Sequence, residues 1–163
     1  FTNPGGIRTD LVYDQISGEE LPGQVTYGEA FSVQPFGNDL VTITLNGTQI
    51  DALLEQQFDN PSPGSKRILQ VSKGFSYTWN ESAPTGEKVD ISSIKINGTS
   101  IDPSSPYRVT MNGFLADGGD NFSVMKEGTD RMVGSPDLDA FVNCLETYSP
   151  LAPGSENRIV LEK

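Results

Sequence analysis

Glycine and proline interrupt this chain unusually often, and they limit the length that any helix can reach. The 163 residues include 17 glycines and 11 prolines, together 28 residues, which is about 17% of the chain against a usual share of about 12%. Both residue types end helices or start turns. The sequence therefore predicts short elements joined by many turns. At this length we expect a single domain over 1–163, with a hydrophobic core that needs no disulfide or metal.

Hydrophobic periodicity predicts several strands and two main helices. The apolar spacing of Ile50, Leu53, Leu54 and Phe58 predicts an amphipathic helix near 48–58, and Ser135-Pro136 is typical of the start of a helix, here 136–148. Runs rich in alternating or β-branched residues predict strands at 39–45, 68–72, 75–79, 88–96, 107–112 and 158–161. We expect no regular structure at 113–121, which holds three glycines and two aspartates. Strands that follow one another, with few helices, predict an α+β fold of mixed β-sheets flanked by helices.

Two nine-residue stretches are similar to each other. ITLNGTQID at 43–51 and IKINGTSID at 94–102 are identical at six positions. Both contain Asn-Gly, a strong turn signal. We interpret the shared unit as a strand followed by a turn, and chance similarity is the alternative.

Charge and the absence of histidine exclude several functions. The chain carries 11 basic and 22 acidic residues, so its net charge of −11 disfavours binding to nucleic acid. No apolar run approaches the ~20 residues of a membrane span. Without histidine, Ser-His-Asp and Cys-His catalysis and histidine-rich metal sites are excluded. We expect no catalytic residue, metal ligand or bound cofactor in this chain. Cys144 lies in an apolar helical pattern, which predicts a buried, unreactive thiol.

The first of three candidate binding segments is NPGGIR at 3–8. Gly5 and Gly6 leave room for a ligand to approach the backbone. Asn3 supplies an amide, and Arg8 supplies a planar set of donors suited to phosphate or hydroxyl oxygens. An ordinary turn with a surface arginine is the alternative.

The other two segments combine aromatic side chains with glycines. In QPFGN at 34–38, Phe36 either packs into the core or presents a ring to a flat ligand. In NGFLADGGDNF at 112–122, carboxylates and glycine amides suit a hydroxyl-rich ligand, and a bare glycine-rich turn is the alternative. The spacing of the aspartates does not fit a calcium-binding EF-hand loop.

Together, these three segments resemble the C-terminal domain of the 5'-nucleotidase family of secreted or periplasmic metallophosphoesterases. LQVSKGFSYTW at 69–79 and INGTSIDPSSPYRVTMN at 96–112 are also similar to the family, so the resemblance covers nearly the whole chain. It implies a 5'-nucleotidase C-terminal-domain-like fold that lacks its first helix and part of its first strand. The chain is then a fragment of a longer protein.

The resemblance also implies roles for individual residues. Phe36 and Phe114 would hold a base between their rings, and Asp120 would accept hydrogen bonds from ribose hydroxyls. Asn3 would approach the base or ribose, and Arg8 would reach toward ribose and phosphate. The remaining substrate-binding positions are Gly5, Gly6, Asn38, Gly118 and Gly119.

By the same resemblance, the partners are a nucleoside or nucleotide and the protein's own N-terminal metallophosphoesterase domain. That domain would hold two divalent metal ions and hydrolyse nucleoside phosphate esters in nucleotide catabolism, so this chain alone is expected to be inactive. Hydrolysis of nucleoside-diphosphate sugars or 2',3'-cyclic nucleotides is a variant of this function. The location would be secreted, periplasmic or at the cell surface. A non-catalytic extracellular binding or adhesion module is the alternative.

Overall fold

The structure, a computed structural model, describes residues 1–162. Within them, four α-helices are formed: α1 Tyr27–Val33, α2 Gly47–Glu55, α3 Gly113–Ala116 and α4 Asp137–Tyr148. The strands are β1 Asp39–Asn46, β2 Phe75–Asn80, β3 Lys95–Ile96, β4 Thr99–Ser100, β5 Pro106–Asn112, β6 Thr129–Pro136 and β7 Ile159–Glu162. No helix in this range is long and apolar enough to cross a lipid bilayer.

The strands form two sheets, as expected for an α+β fold of mixed sheets and helices. The first has the order β5-β1-β6 and is antiparallel throughout. The second has the order β4-β3-β2-β7, with β7 parallel to β2 and the other pairs antiparallel. Inside β1, half-buried residues alternate with buried ones, and Val41, Ile43 and Leu45 are at most 1% exposed. This face of β1 forms the centre of the hydrophobic core.

Helix α2 covers that face and confirms the helix expected near 48–58. Ile50, Leu53 and Leu54 are buried in the core, as the apolar spacing requires. The helix ends in a 3-10 turn, Gln56–Asp59, which buries Phe58. The backbone of Gly47 lies against the carbonyl of Asp102, where a side chain would not fit.

The two similar stretches adopt different structures after the strand. Asn46 caps α2: its side chain accepts the Gln49 backbone N–H at 2.8 Å, and the Gln49 side chain accepts the Asn46 N–H at 3.0 Å. Asn97 and Gly98 instead form the turn between β3 and β4, with φ of +51° and +82°. The expectation of a shared turn is therefore wrong at Asn46, because the residues after it continue a helical pattern.

Several predicted boundaries differ from the structure. Residues 68–72 form no strand, although Gln70 pairs with Thr2. In 88–96 the strand is limited to β3, preceded by a 3-10 turn, Ile91–Ser93. Residues 113–121 contain α3 and a 3-10 turn, Gly119–Asn121, so the expectation of no regular structure there is wrong.

Helix α4 forms as expected, but Cys144 is exposed rather than buried. Only Asp137 and Leu138 of this helix are buried. Phe141, Val142 and Leu145 are half-buried. The helix packs against α1 and β6 and contributes no residue to the main hydrophobic core.

Candidate functional site

The three candidate segments meet at one cleft of about 320 Å³. The segment 3–8 lies at the start of the chain, 34–38 joins α1 to β1, and 112–122 runs from the end of β5 through α3. Eight of the ten predicted binding residues line this cleft: Asn3, Gly5, Gly6, Arg8, Phe36, Asn38, Phe114 and Asp120. Gly118 and Gly119 lie outside the lining, and Arg67 and Asn112 line it without having been predicted.

Both aromatic rings of the cleft are exposed. Phe36 is 55% and Phe114 is 46% exposed, whereas Phe58 in the core is 2% exposed. The alternative in which Phe36 packs into the core is therefore wrong. The guanidinium of Arg8 lies 5.7 Å from the centroid of the Phe36 ring, within the range of a cation–π interaction. The cleft thus offers apolar ring faces to a planar ligand.

Helix α3 sets the position of Phe114. Asn112 caps this helix, since its side chain accepts the Leu115 N–H at 2.9 Å. Gly119 packs directly against the ring: a Cβ at Gly119 would lie 2.5 Å from both Cε1 and the backbone oxygen of Phe114. Gly119 therefore belongs to the support of Phe114.

Asn3 is 4% exposed and uses both ends of its amide inside the protein. Its Oδ1 accepts from Asn112 Nδ2 at 3.1 Å, and its Nδ2 donates to Asp120 Oδ2 at 2.9 Å. The backbone of Gly6 lies over this amide, where a Cβ would approach Asn3 Oδ1 to 2.8 Å. Gly6 thus makes room for the amide of Asn3.

Asp120 is held by Asn3, as described above, and by two further residues, Asn60 and Arg67. Its backbone adopts φ of +53°, a left-handed conformation that is unfavourable for most residues. Asn60 Nδ2 donates to its backbone oxygen, and Arg67 Nη1 forms an ion pair with Oδ1. The side chain is 16% exposed. One carboxylate therefore faces the cleft in a fixed orientation.

The two residues that the sequence analysis missed differ in how they could have been found. Asn112 precedes Gly-Phe-Leu-Ala, and an asparagine before a short helix is a recognisable N-cap signal. Arg67 stands in SKRILQ, which carries no motif. Its partner Asp120 is 53 residues away, so nothing local marks it.

The cleft suits a neutral, flat ligand with hydroxyl groups better than it suits a metal ion. Within the described chain, no three His, Cys, Asp or Glu side chains are grouped so that they could hold a metal. A two-metal hydrolytic centre needs several such ligands, and the residues present do not fit one. The rings, the carboxylate of Asp120 and the guanidinium of Arg8 instead offer stacking, acceptor and donor functions.

The comparison with known proteins identifies the family to which this fold belongs. The family described as 5'-nucleotidase, C-terminal domain, matches residues 1–127. The chain belongs to this family, which confirms the resemblance.

Individual relatives support the same assignment. A trifunctional nucleotide phosphoesterase of Bacillus subtilis is 34% identical over 98% of this chain, and a cell wall protein of Listeria monocytogenes is 33% identical over 90% of it. The crystal structure of a 5'-nucleotidase precursor from Thermus thermophilus matches 98% of this chain with a TM-score of 0.78 and 33% identity. The chain spans 10%, 18% and 30% of these three proteins, respectively.

Proposed function

We propose that this chain is the nucleoside-binding domain of a 5'-nucleotidase-type metallophosphoesterase. The observation that carries the proposal is the meeting of Phe36, Phe114 and Asp120 at one cleft. Phe36 belongs to the 34–38 segment, Phe114 and Asp120 belong to the 112–122 segment, and the fold brings the two segments together. Two exposed rings beside a fixed carboxylate match the two chemical parts of a nucleoside, a flat base and a sugar with hydroxyls.

Each part of the ligand has a partner in the cleft. The base lies between Phe36 and Phe114, where stacking contributes about 1–3 kcal/mol per ring with little base selectivity. Asn38 offers an amide to the edge of the base. The ribose hydroxyls donate to Asp120, and such bonds to a charged acceptor contribute about 1.5–3 kcal/mol each. Arg8 faces the ribose and the first phosphate.

The reaction proposed for the whole protein is hydrolysis of a nucleoside phosphate ester in nucleotide catabolism. Two divalent metal ions, held by a metallophosphoesterase domain outside these residues, would supply an activated water and stabilise the charge on the phosphate. The residues of this chain bind the nucleoside and orient the phosphate toward that domain. Nucleoside-diphosphate sugars and 2',3'-cyclic nucleotides carry the same nucleoside part and fit the same role.

We also propose a location outside the cytoplasm, either secreted, periplasmic or at the cell surface. The support is the similarity to a cell wall protein and to a nucleotidase precursor.

Titration of the chain with adenosine, followed by NMR up to millimolar ligand, tests the binding role. Phe36→Ala and Phe114→Ala are each expected to weaken binding about tenfold, since one stacking face is lost. Phe31→Ala is the matched control, because Phe31 is 48% exposed but lies outside the cleft. Unchanged affinity in both cleft variants, or no binding by the wild-type chain, would refute the proposal and favour the non-catalytic binding or adhesion module.

A further inference from the structure

We propose that Arg67 is a positioning residue that fixes the carboxylate of Asp120 for an intact ribose cis-diol. The site would thereby select ribonucleosides over nucleosides whose sugar lacks these hydroxyls. This inference rests on the proposed function and deepens it, because it names the residue that positions the carboxylate for the ribose hydroxyls.

The hydrogen-bonding capacity of Asp120 fits two hydroxyls. An ionised carboxylate has about four acceptor positions on its two oxygens. Arg67 Nη1 occupies one on Oδ1, and Asn3 Nδ2 occupies one on Oδ2. One position is therefore left on each oxygen. A cis-diol presents two adjacent donors, which matches two acceptors on the two oxygens of one fixed carboxylate.

The contact on Oδ2 is itself held by a line of amide hydrogen bonds. The Leu115 N–H donates to Asn112 Oδ1 at 2.9 Å, and Asn112 Nδ2 donates to Asn3 Oδ1 at 3.1 Å. These bonds orient the buried amide of Asn3 so that its nitrogen points at Asp120. The line begins in α3, which carries Phe114, so the support of the base-stacking ring and the support of the carboxylate are connected.

Arg67 is the support on the opposite oxygen. Its backbone N–H donates to the Gln57 carbonyl at 2.8 Å, which ties it to the 3-10 turn after α2. Its side chain is 37% exposed, against 16% for Asp120, so the guanidinium lies nearer to the solvent side. Without Arg67, Oδ1 of Asp120 has no side-chain donor in the protein. Asn3 alone then holds the carboxylate through Oδ2, so the terminal torsion is less restricted.

Loss of this support has a signature that a general loss of stability does not have. Arg67 forms its bonds with Asp120 and Gln57, and neither bond involves Phe36 or Phe114. Stacking of the base should therefore remain in a variant without Arg67. Only the contribution of the two ribose hydroxyls to the binding free energy should fall. The relevant comparison is therefore adenosine against 2',3'-dideoxyadenosine, which has the same base and no sugar hydroxyls.

The test measures the affinity of the chain for both ligands by NMR titration. Wild type should bind adenosine at least about tenfold more tightly than the dideoxy compound, as expected for bonds to a charged acceptor. Arg67→Gln should reduce this ratio to about twofold or less, mainly by weakening adenosine. Arg67→Lys keeps the charge but not the planar geometry, so it should restore part of the ratio.

The control is Lys66→Gln. Lys66 is adjacent in sequence and has the same charge, but it pairs with Glu81 and lies outside the cleft. It should bind both ligands as wild type does. In an Asp120→Asn background, Arg67→Gln should cause no further change in the ratio, because Arg67 acts through Asp120.

The outcomes separate this inference from the proposed function. Equal weakening of both ligands by Arg67→Gln, or an unchanged ratio, would overturn the role of Arg67 while nucleoside binding stands. Equal affinity of wild type for both ligands would overturn ribose recognition and leave base binding. If wild type binds neither ligand, both proposals are refuted. Should Arg67→Gln fail to fold, Arg67→Lys carries the same comparison, and a wild-type ratio in that variant would count against the inference.

Discussion

Asn3 and Asp120 are 117 residues apart in the sequence and are joined by a hydrogen bond of 2.9 Å from Nδ2 to Oδ2. The donor is 4% exposed, and the acceptor faces the cleft. This hydrogen bond joins the 3–8 segment to the 112–122 segment, so Asn3 helps to fix the orientation of the Asp120 side chain in the cleft.

The first prediction concerns the effect of replacing Asn3 on stability. Asn3→Asp keeps the size of the side chain but places a second carboxylate against Asp120, and it removes the donor to Oδ2. We expect the free energy of unfolding to fall by about 1–3 kcal/mol, the usual effect of an unsatisfied or repelled buried group. Urea denaturation monitors the change. Asn143→Asp, on the exposed side of α4, adds the same charge and should change stability by less than about 0.5 kcal/mol. An equal effect of the two substitutions would contradict the role of Asn3.

The second prediction concerns Gly119. Gly119→Ala would place a Cβ 2.5 Å from both the ring and the backbone oxygen of Phe114, so either the ring or α3 must move. We expect a loss of about 1–3 kcal/mol in stability, as for other overpacked sites, together with weaker adenosine binding. Gly154→Ala is the control, since a Cβ there would meet no atom within 4 Å beyond its own chain neighbours. Thermal unfolding and ligand titration on both variants measure the effects. Wild-type affinity in Gly119→Ala would mean that the ring position is not set there.

These sites also show what the sequence alone could predict. Phe36, Phe114 and Asp120 stand in local segments rich in glycine, so each could be recognised without knowing the fold. Arg67 could not, because its role depends on a partner 53 residues away. The sequence does not predict β6, because all the residues of this strand are exposed and they show no hydrophobic alternation. Asn46 and Asn97 share their neighbours, yet the residues that follow decide between a helix cap and a turn.

The third prediction concerns the pH dependence of stability. Burial, with the nearby carboxylates of Glu55 and Asp90, raises the pKa of Asp51 from its usual 3.8 to about 6. Between pH 4 and 6 the folded protein therefore binds more protons at this group than the unfolded chain does, and the contribution of Asp51 to stability falls as the pH rises.

Replacing Asp51 by Asn should remove this effect. We expect Asp51→Asn to raise the free energy of unfolding by about 1 kcal/mol at pH 7.5, less than the full pKa shift would give because the side chain is half-buried and screened by water. At pH 4 the two proteins should be nearly equal. Asp14→Asn in the exposed loop controls for the loss of one negative charge. A gain that does not change between pH 4 and 7.5 would be inconsistent with titration of Asp51.

The fourth prediction concerns activity. The chain has no histidine, and its described residues offer no group of three metal-ligating side chains. We expect no release of phosphate from AMP by the purified chain in the presence of manganese, cobalt or zinc. A phosphate assay with the metal alone as blank measures this. Metal-dependent hydrolysis that co-purifies with the chain through successive columns would overturn the division of function between two domains.

The most direct measurement of the central claim is a crystal structure of the chain with adenosine. We expect the base to lie between the rings of Phe36 and Phe114, with each ring at about 3.5 Å from it and a gap of roughly 7 Å between the rings. The ribose hydroxyls should lie within hydrogen-bonding distance of the Asp120 carboxylate. Adenosine bound elsewhere on the surface, or a cleft left empty at saturating ligand, would contradict the assignment of this cleft as a nucleoside site.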